Sequence, residues 1–341
     1  MSTKAIDKAN DDLPEFDPSF SDGMEQSADL GLGGQRGPSF PMIQWINGNP
    51  GLAQLGEQLG YTGGFLFVTE GNDAEMSAED KEKRATIGQF LGAAGWKTTT
   101  HVFRNGDEVT GYWTRQAALS LIDIRRAWVG EVSGENKYFP WAVRNAYKNA
   151  QTASEKAPSS KTHALVLVKG AEEAGPLTLT LSGTAGKGFD DSLRHFLGTV
   201  IAAANKASAD DAKKNGKEAG RWAASCFWLP VGADRDGKGK PKFTEVGKGT
   251  DTSKVTLPIA LGLPELGVTD GIELRRFYVG KPLQDRTREI YEGNVEWRDA
   301  WNNFEDTATP SAPTAHTNGN GAKAKKEEVK TSEDALASLG L

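Results

Sequence analysis

The chain has 341 residues, one cysteine and a formal net charge of −6. A lone cysteine excludes an internal disulfide framework and a zinc site built from several cysteines, and it is typical of a reducing interior. No apolar run reaches the roughly 18 residues of a membrane helix, and the first residues, MSTKAIDKANDD, lack the pattern of a secretory signal. We therefore predict a cytoplasmic protein without a membrane segment.

Both ends of the chain are poor in large apolar residues. Residues 1–40 carry three basic and eight acidic side chains, and residues 306–341 carry four lysines and five acids. Such segments bury too little apolar surface to offset the entropy lost on ordering. The composition predicts a disordered acidic arm at 1–40, a single folded strand-rich domain at 41–305, and a disordered linker with a short acidic-apolar tip at 306–341.

Three segments have the apolar spacing of helices. The first follows Ser77-Ala-Glu-Asp80, a variant of the capping box, and is expected to stop at Gly95. The second is predicted at about 190–206. The third is predicted at about 285–304, although Gly293 interrupts it.

The strongest strand signal is TTTHVFRNGDEVTGYWT at 98–114. Asn105-Gly106 is typical of a two-residue type I′ turn, which predicts a β-hairpin in which Val102 faces Val109. The predicted faces are His101, Phe103 and Tyr112 on one side, and Val102, Val109 and Trp113 on the other.

Short strands dominate the rest of the predicted domain. They are expected at 63–69, 119–129, 163–170, 176–183, 221–231, 241–247 and 271–280. Many short strands with few helices favour a mainly β (α+β) fold, an elaborated oligonucleotide-binding-type barrel with inserted helices and disordered termini.

The segment LTLTLSGTAGKGFDDS at 177–192 raises the question of a phosphate-binding P-loop. That motif needs a glycine, four residues and then Gly-Lys-Ser/Thr. Here Leu181 occupies the place of the first glycine, and Gly188 occupies the place of the hydroxyl residue. We interpret Ser182 to Gly188 as a connection at a sheet corner, with Lys187 as a phosphate contact.

No other motif indicates catalysis. The sequence contains no Gly-x-Ser-x-Gly, His-Glu-x-x-His or Cys-x-x-Cys pattern. Cys226 stands between Trp222 and Trp228 in a predicted strand, which favours a buried structural thiol over a nucleophile. We predict a non-enzymatic protein with no cofactor and no metal.

Several of the nine tryptophans stand near arginine or lysine, as in Arg125-Arg126-Ala-Trp128. The stretch Arg275-Arg276-Phe277-Tyr278 likewise places aromatic rings next to cations. Aromatic rings that stack on bases, next to cations that contact phosphates, are typical of single-stranded nucleic-acid binding. Residues 235–254 carry six positive and three negative side chains and predict a glycine-rich hairpin loop that closes over a strand. In the alternative interpretation the rings are core, and the best core positions are Trp45, Trp113, Trp297 and Trp301.

The chain ends in SEDALASLGL. Its acids and leucines can form a short amphipathic hook that binds the groove of a partner protein. A frayed tail with chance leucines is the open alternative. The residues of the predicted partner contact are Glu333, Asp334, Leu336, Leu339 and Leu341.

Four short strings are IQWINGNP at 43–50, GGFLF at 63–67, GYWT at 111–114 and LTLTLSGTAGKGF at 177–189. They resemble an uncharacterised family carried by bacterial plasmids and phages. The layout of acidic arm, strand-rich core and acidic-apolar tip resembles single-stranded DNA-binding proteins of the oligonucleotide-binding-fold class, which implies a role in DNA replication or repair. The tip departs from that class, which closes on several acids followed by proline and phenylalanine.

The leading prediction is sequence-tolerant binding of single-stranded DNA, or RNA. The alternative is a phage- or plasmid-derived structural or adaptor protein that binds protein partners through its tails, and a homo-oligomer stays open. The predicted stacking rings are Phe103, Tyr112, Trp128, Trp141, Phe277 and Tyr278. The predicted phosphate contacts are Arg104, Arg125, Arg126, Arg144, Lys148, Lys169, Lys187, Arg275 and Arg276.

Overall fold

The computed structural model describes residues 40–71, 77–103, 106–132, 135–140, 159–248 and 251–299. Side-chain surroundings are described for these residues except at 130–140, 247–251 and 299. The arm predicted at 1–40, apart from Phe40, and the linker and tip predicted at 306–341 lie outside the described residues.

Ten strands form one mixed sheet: nine follow the order β12-β9-β5-β7-β8-β1-β2-β4-β3, and the tenth, β6, pairs with β5. Strands β1 and β8 are parallel, and the other neighbours are antiparallel. The strands are β1 (Met42–Ile46), β2 (Gly64–Glu70), β3 (Lys97–Val102), β4 (Glu108–Thr114), β5 (Gln116–Val132), β6 (Glu135–Pro140), β7 (Ser159–Val168), β8 (Leu177–Ser182), β9 (Trp228–Ala233) and β12 (Pro258–Ala260). A separate hairpin consists of β10 (Thr244–Lys248) and β11 (Asp251–Val255).

The predicted α+β content is confirmed, but the closed barrel is wrong. Strands β12 and β3 stand at opposite ends of the strand order and do not pair within the described ranges. The sheet nevertheless curls strongly. Four strands lie between β4 and β5 in the strand order, but along the chain only Arg115 separates the end of β4 from the start of β5. Consecutive Cα atoms are about 3.8 Å apart, so the end of β4 and the start of β5 must meet.

Helices pack on both faces of the sheet. Ile43, Phe65 and Leu179 lie in the largest apolar cluster together with side chains of α2 and α3. On the other face, the fully buried ring of Trp297 packs with apolar residues of β5 and β7. The helices are α1 (Leu59–Thr62), α2 (Ala78–Ala93), α3 (Thr184–Phe196), α4 (Ala202–Asn215), α5 (Lys281–Gly293) and α6 (Val295–Asp299), and a π-helical turn at Leu197–Ile201 joins α3 to α4.

The predicted helices are found with shifted ends. Helix α2 begins as expected, because the Oγ of Ser77 accepts a hydrogen bond from the backbone N–H of Asp80 at 3.1 Å. The helix predicted at 285–304 begins earlier and breaks at Asn294, whose side chain donates to the carbonyl of Ile290 at 2.6 Å. The strand predicted at 271–280 is wrong, since a 3-10 turn at Leu274–Arg276 stands there and only Tyr278 bridges to Phe227.

The glycine-rich segment after β8 is not a sheet corner, because α3 starts at Thr184. Gly183 precedes the helix with a φ of 53°, a backbone conformation that favours glycine. A Cβ on Gly188 would lie 3.1 Å from the carbonyl oxygen of Pro258, and a Cβ on Gly186 would lie 3.4 Å from the Oγ1 of Thr162. These glycines therefore allow α3 to pack closely on the sheet.

The hairpin of β3 and β4 forms with a register one residue away from the predicted one. Val102 pairs with Glu108, and the N–H of Phe103 donates to the carbonyl of Asp107 at 2.8 Å, so three residues form the loop. A shift of one residue moves side chains to the opposite face. Tyr112 is therefore on the face opposite Phe103, next to α2, where a Cβ on Gly88 would lie 2.7 Å from its ring.

Candidate nucleic-acid interface

Two of the six rings that the sequence offered for stacking are buried in the structure, and three are half-buried. Trp128 is 7% exposed and Phe277 is 4% exposed, so neither ring has a free face for a base. Tyr278 is half-buried and donates a hydrogen bond to Gln284 at 2.9 Å. Phe103 is half-buried at the hairpin end, with its ring centroid 5.0 Å from that of His101, and Trp141 lies outside the described residues.

Every tryptophan whose surroundings are described is buried. This outcome matches the core interpretation of Trp45, Trp113 and Trp297, while Trp301 lies outside the described residues. The buried tryptophans are Trp45, Trp96, Trp113, Trp128, Trp222, Trp228 and Trp297.

Two predicted phosphate contacts instead join parts of the fold. Arg126 forms an ion pair with Asp190 of α3 at 2.6 Å. Arg125 is buried, its Cζ lies 4.2 Å from the ring centroid of Trp297, and it donates to the Trp297 carbonyl at 2.8 Å. Burial, with the charges of Arg125 and Lys161, lowers the pKa of His163 to about 3, so the ring beside Arg125 is neutral at pH 7.

Two of the remaining predicted cations, Lys169 and Lys187, lie far apart. Lys169 follows β7 and Lys187 lies in the first turn of α3, after β8. Strands β7 and β8 are antiparallel, with Lys161 at the start of β7 paired with Ser182 at the end of β8. Lys169 and Lys187 are therefore at opposite ends of the strand pair. Arg275 is exposed, and Arg276 donates to the carbonyl of Gly262 at 2.8 Å. The predicted contacts Arg104, Arg144 and Lys148 lie outside the described residues.

A different group of cations and rings meets where the sheet curls. We define the end-loop cluster as Glu57, Tyr61, Arg115, Arg235 and Phe243. These residues come from three connections: the one between β1 and β2, the one between β4 and β5, and the one between β9 and β10. The β1–β2 connection meets the β4–β5 connection because β2 starts beside the end of β4. The β9–β10 connection meets the β4–β5 connection because β9 ends beside the start of β5.

Two guanidinium groups meet at one carboxylate oxygen in this cluster. Arg115 and Arg235 both donate to the Oε2 of Glu57, and the Arg235 contact measures 2.5 Å. Desolvation raises the pKa of Glu57, but the hydrogen bonds and charges of Arg235 and Arg115 together lower it below its usual value. Glu57 therefore stays ionised to lower pH than a free glutamate.

Two half-buried rings lie in the same cluster. The centroids of Tyr61 and Phe243 are 5.7 Å apart, with the ring planes tilted by 46°. Phe243 comes directly before β10, and Tyr61 is in α1, four residues after Glu57. The cluster thus combines aromatic surface with the charge of two arginines.

The neighbouring segments add further positive charge. Lysines with exposed side chains in the segment from Asp234 to Val255 are Lys238, Lys240, Lys242 and Lys254. With Arg115 and Arg235 they make six cations, against the four acids Glu57, Asp234, Asp236 and Glu245, which leaves a charge of +2. Asp234 pairs with Lys242 at 2.9 Å, and the carboxylate of Asp236 accepts the N–H groups of Lys238 and Lys240.

Buried contacts hold these loops in place. The Oγ1 of Thr256, directly after β11, accepts a hydrogen bond from the N–H of Gly48 at 2.8 Å, and Thr256 is fully buried. A Cβ on Gly48 would lie 2.7 Å from the backbone nitrogen of Gly63, so glycine is needed for this close approach. The base of the hairpin of β10 and β11 is thereby fixed beside α1.

Sequence reasoning found one part of this site. Residues 235–254 were expected to form a cationic hairpin loop, and β10 and β11 confirm the hairpin. Glu57, Tyr61 and Arg115 were missed, because no spacing rule connects residues that meet only through strand pairing. The glycines at 48 and 63 were the available signal of a tight connection.

Other kinds of site are not supported by the described residues. No group of three or more His, Cys, Asp or Glu side chains there could hold a metal ion. Within the same residues, no helix combines the length and the apolar character that crossing a bilayer requires. Cys226 is fully buried as predicted, and burial raises the pKa of its thiol to about 12.

A family model matches the middle of the chain. Residues 80–247 match the family model DUF5895, a domain of unknown function. The DUF5895 match runs from α2 into β10 and includes Arg115, Arg235 and Phe243 but not Glu57 or Tyr61. No curated protein and no solved structure matches the chain. The resemblance to single-stranded DNA-binding proteins and to a plasmid and phage family therefore stays a prediction.

Proposed function

We propose that the chain binds single-stranded nucleic acid, DNA or RNA, at the end-loop cluster. The observation that carries the proposal is that the ring pair of Tyr61 and Phe243 belongs to the same cluster of loops as the two guanidinium groups at Glu57. Base stacking with cationic contacts to phosphates is a sequence-tolerant way to bind an unpaired strand.

The proposed path of the strand follows the cations. A base stacks on the outward surface of the ring pair, because the two rings contact one another and leave no gap between them. The phosphates on either side reach Arg115 and Arg235, and then the lysines of 238–254. Nothing in this arrangement reads the edge of a base, so the binding discriminates little between sequences.

The test is a titration of the full chain into a fluorescein-labelled 20-nucleotide oligothymidylate, followed by fluorescence anisotropy at 50 mM and 200 mM NaCl. Affinity for single strands falls with salt at a slope of about 0.7 per phosphate neutralised. With about four such contacts, we expect roughly a 50-fold loss of affinity between the two concentrations. Absence of binding at 50 mM NaCl would contradict the proposal.

A second candidate is a structural or adaptor protein that binds protein partners through its tails. It is favoured by one observation, the burial of all seven described tryptophans, because an adaptor needs its rings only as core. The same titration with a chain ending at residue 305 separates the two. A nucleic-acid-binding protein keeps or gains affinity without its tail, whereas an adaptor shows no oligonucleotide binding in either form and loses its protein partner.

A further inference from the structure

The carboxylate of Glu57 occupies the place where a phosphate would meet two arginines. Its Oε2 accepts hydrogen bonds from Arg115 and Arg235, while the Glu57 side chain is 61% exposed. The Arg115 and Arg235 side chains are 33% and 29% exposed, and an ion pair that water still reaches contributes little to stability. Glu57 also follows Gly56, where a Cβ would meet no atom within 4 Å, so the chain beside Glu57 is loosely packed. The carboxylate can therefore leave at small cost.

The Arg235 guanidinium group and the Arg115 backbone are held by contacts that do not involve Glu57. One Nη of Arg235 donates to the carbonyl of Gly239, in the tight loop that Asp236 organises. The backbone carbonyl of Arg115 accepts a hydrogen bond from Ala233 at 3.2 Å, in the single-residue corner between β4 and β5. The cationic site therefore persists when the carboxylate departs.

We propose that Arg115 and Arg235 form a phosphate-binding site that Glu57 fills in the free protein and that a phosphate of the bound strand takes over. This inference rests on the proposed function. A phosphate presents several acceptor oxygens to two arginines, whereas Glu57 uses one oxygen for both, so the exchange increases the number of charge-assisted hydrogen bonds. Glu57 then lowers the affinity for a strand by competing with it.

The test compares Glu57→Gln with Glu245→Gln, which removes one negative charge from the exposed part of β10 without touching either arginine. In the oligothymidylate titration at 50 mM NaCl, we expect Glu57→Gln to bind about tenfold more tightly than the unmodified chain. The affinity gain for Glu245→Gln is expected to stay under about twofold. Adding Arg115→Ala to the Glu57→Gln chain is expected to abolish the gain that Glu57→Gln produces.

A second readout needs no nucleic acid. Inorganic pyrophosphate, titrated calorimetrically, is expected to bind Glu57→Gln more tightly than the unmodified chain. Equal gains for Glu57→Gln and Glu245→Gln in the strand titration would overturn the phosphate site while the proposed function stands. If neither the unmodified chain nor any variant binds the oligonucleotide, the proposed function fails. The pyrophosphate titration then still decides whether Glu57 blocks an anion site.

Discussion

Replacing both Tyr61 and Phe243 by alanine is expected to lower oligonucleotide affinity by roughly 5- to 150-fold, because one base stacks on the ring pair. Stacking contributes about 1–3 kcal/mol per base, and the pair offers half-buried aromatic surface in the same cluster of loops as Arg115 and Arg235. The loss should change little with salt, because stacking releases no counterions. Fluorescence anisotropy at 50 mM and 200 mM NaCl measures the loss of affinity and its dependence on salt.

Phe103→Ala is the matched control for the ring pair. Phe103 is also half-buried and was itself a stacking candidate, but it lies in the loop between β3 and β4, away from the end-loop cluster. We expect its replacement to change affinity by less than about threefold. A large loss from Phe103→Ala, together with a small loss from the double replacement, would move the interface to the β3–β4 hairpin. Thermal unfolding of each variant verifies that the fold is kept.

Trp297→Ala is expected to lower the free energy of unfolding by about 3–5 kcal/mol, the cost of removing a fully buried large aromatic ring. The Trp297 ring lies against Phe40 and beneath the guanidinium of Arg125, so its removal leaves a cavity next to a buried charge. Urea unfolding followed by circular dichroism measures the change through the denaturation midpoint.

Val295→Ala gives the comparison for Trp297→Ala within the same short helix. Val295 is 46% exposed, and we expect its replacement to change stability by less than about 0.5 kcal/mol. If the two variants unfolded at the same urea concentration, α6 would not pack on the sheet in solution. Arg125 would then regain the accessibility that a phosphate contact requires.

Local sequence patterns predicted the elements better than their arrangement. The cap at Ser77 and the apolar spacing of α2 and α3 are local, so both helices were found. The loop of the first hairpin was misjudged by one residue, which was enough to move Tyr112 to the face under α2. The open sheet was not predictable, because the parallel pairing of β1 with β8 joins segments more than 130 residues apart.

The burial of Trp128 and Phe277, two predicted stacking rings, has a related physical reason. Neighbouring residues in extended chain point in opposite directions, so a cation beside an aromatic residue often means one side chain outside and one inside. Arg221 is exposed and Trp222 is buried, and at the end of the 3-10 turn Arg276 is likewise exposed beside the buried Phe277. In the end-loop cluster, by contrast, rings and cations from distant segments meet in space, which adjacency in sequence does not reveal.

The most direct test of the proposed interface is photochemical cross-linking of the full chain to a 5-iodouracil-containing oligonucleotide, with the attached residues identified by mass spectrometry. We expect the nucleotide on peptides that contain Tyr61 or Phe243, or on the segment 234–255. Cross-links found only on other peptides, for example those that contain Phe103 or Tyr278, would contradict binding at the end-loop cluster.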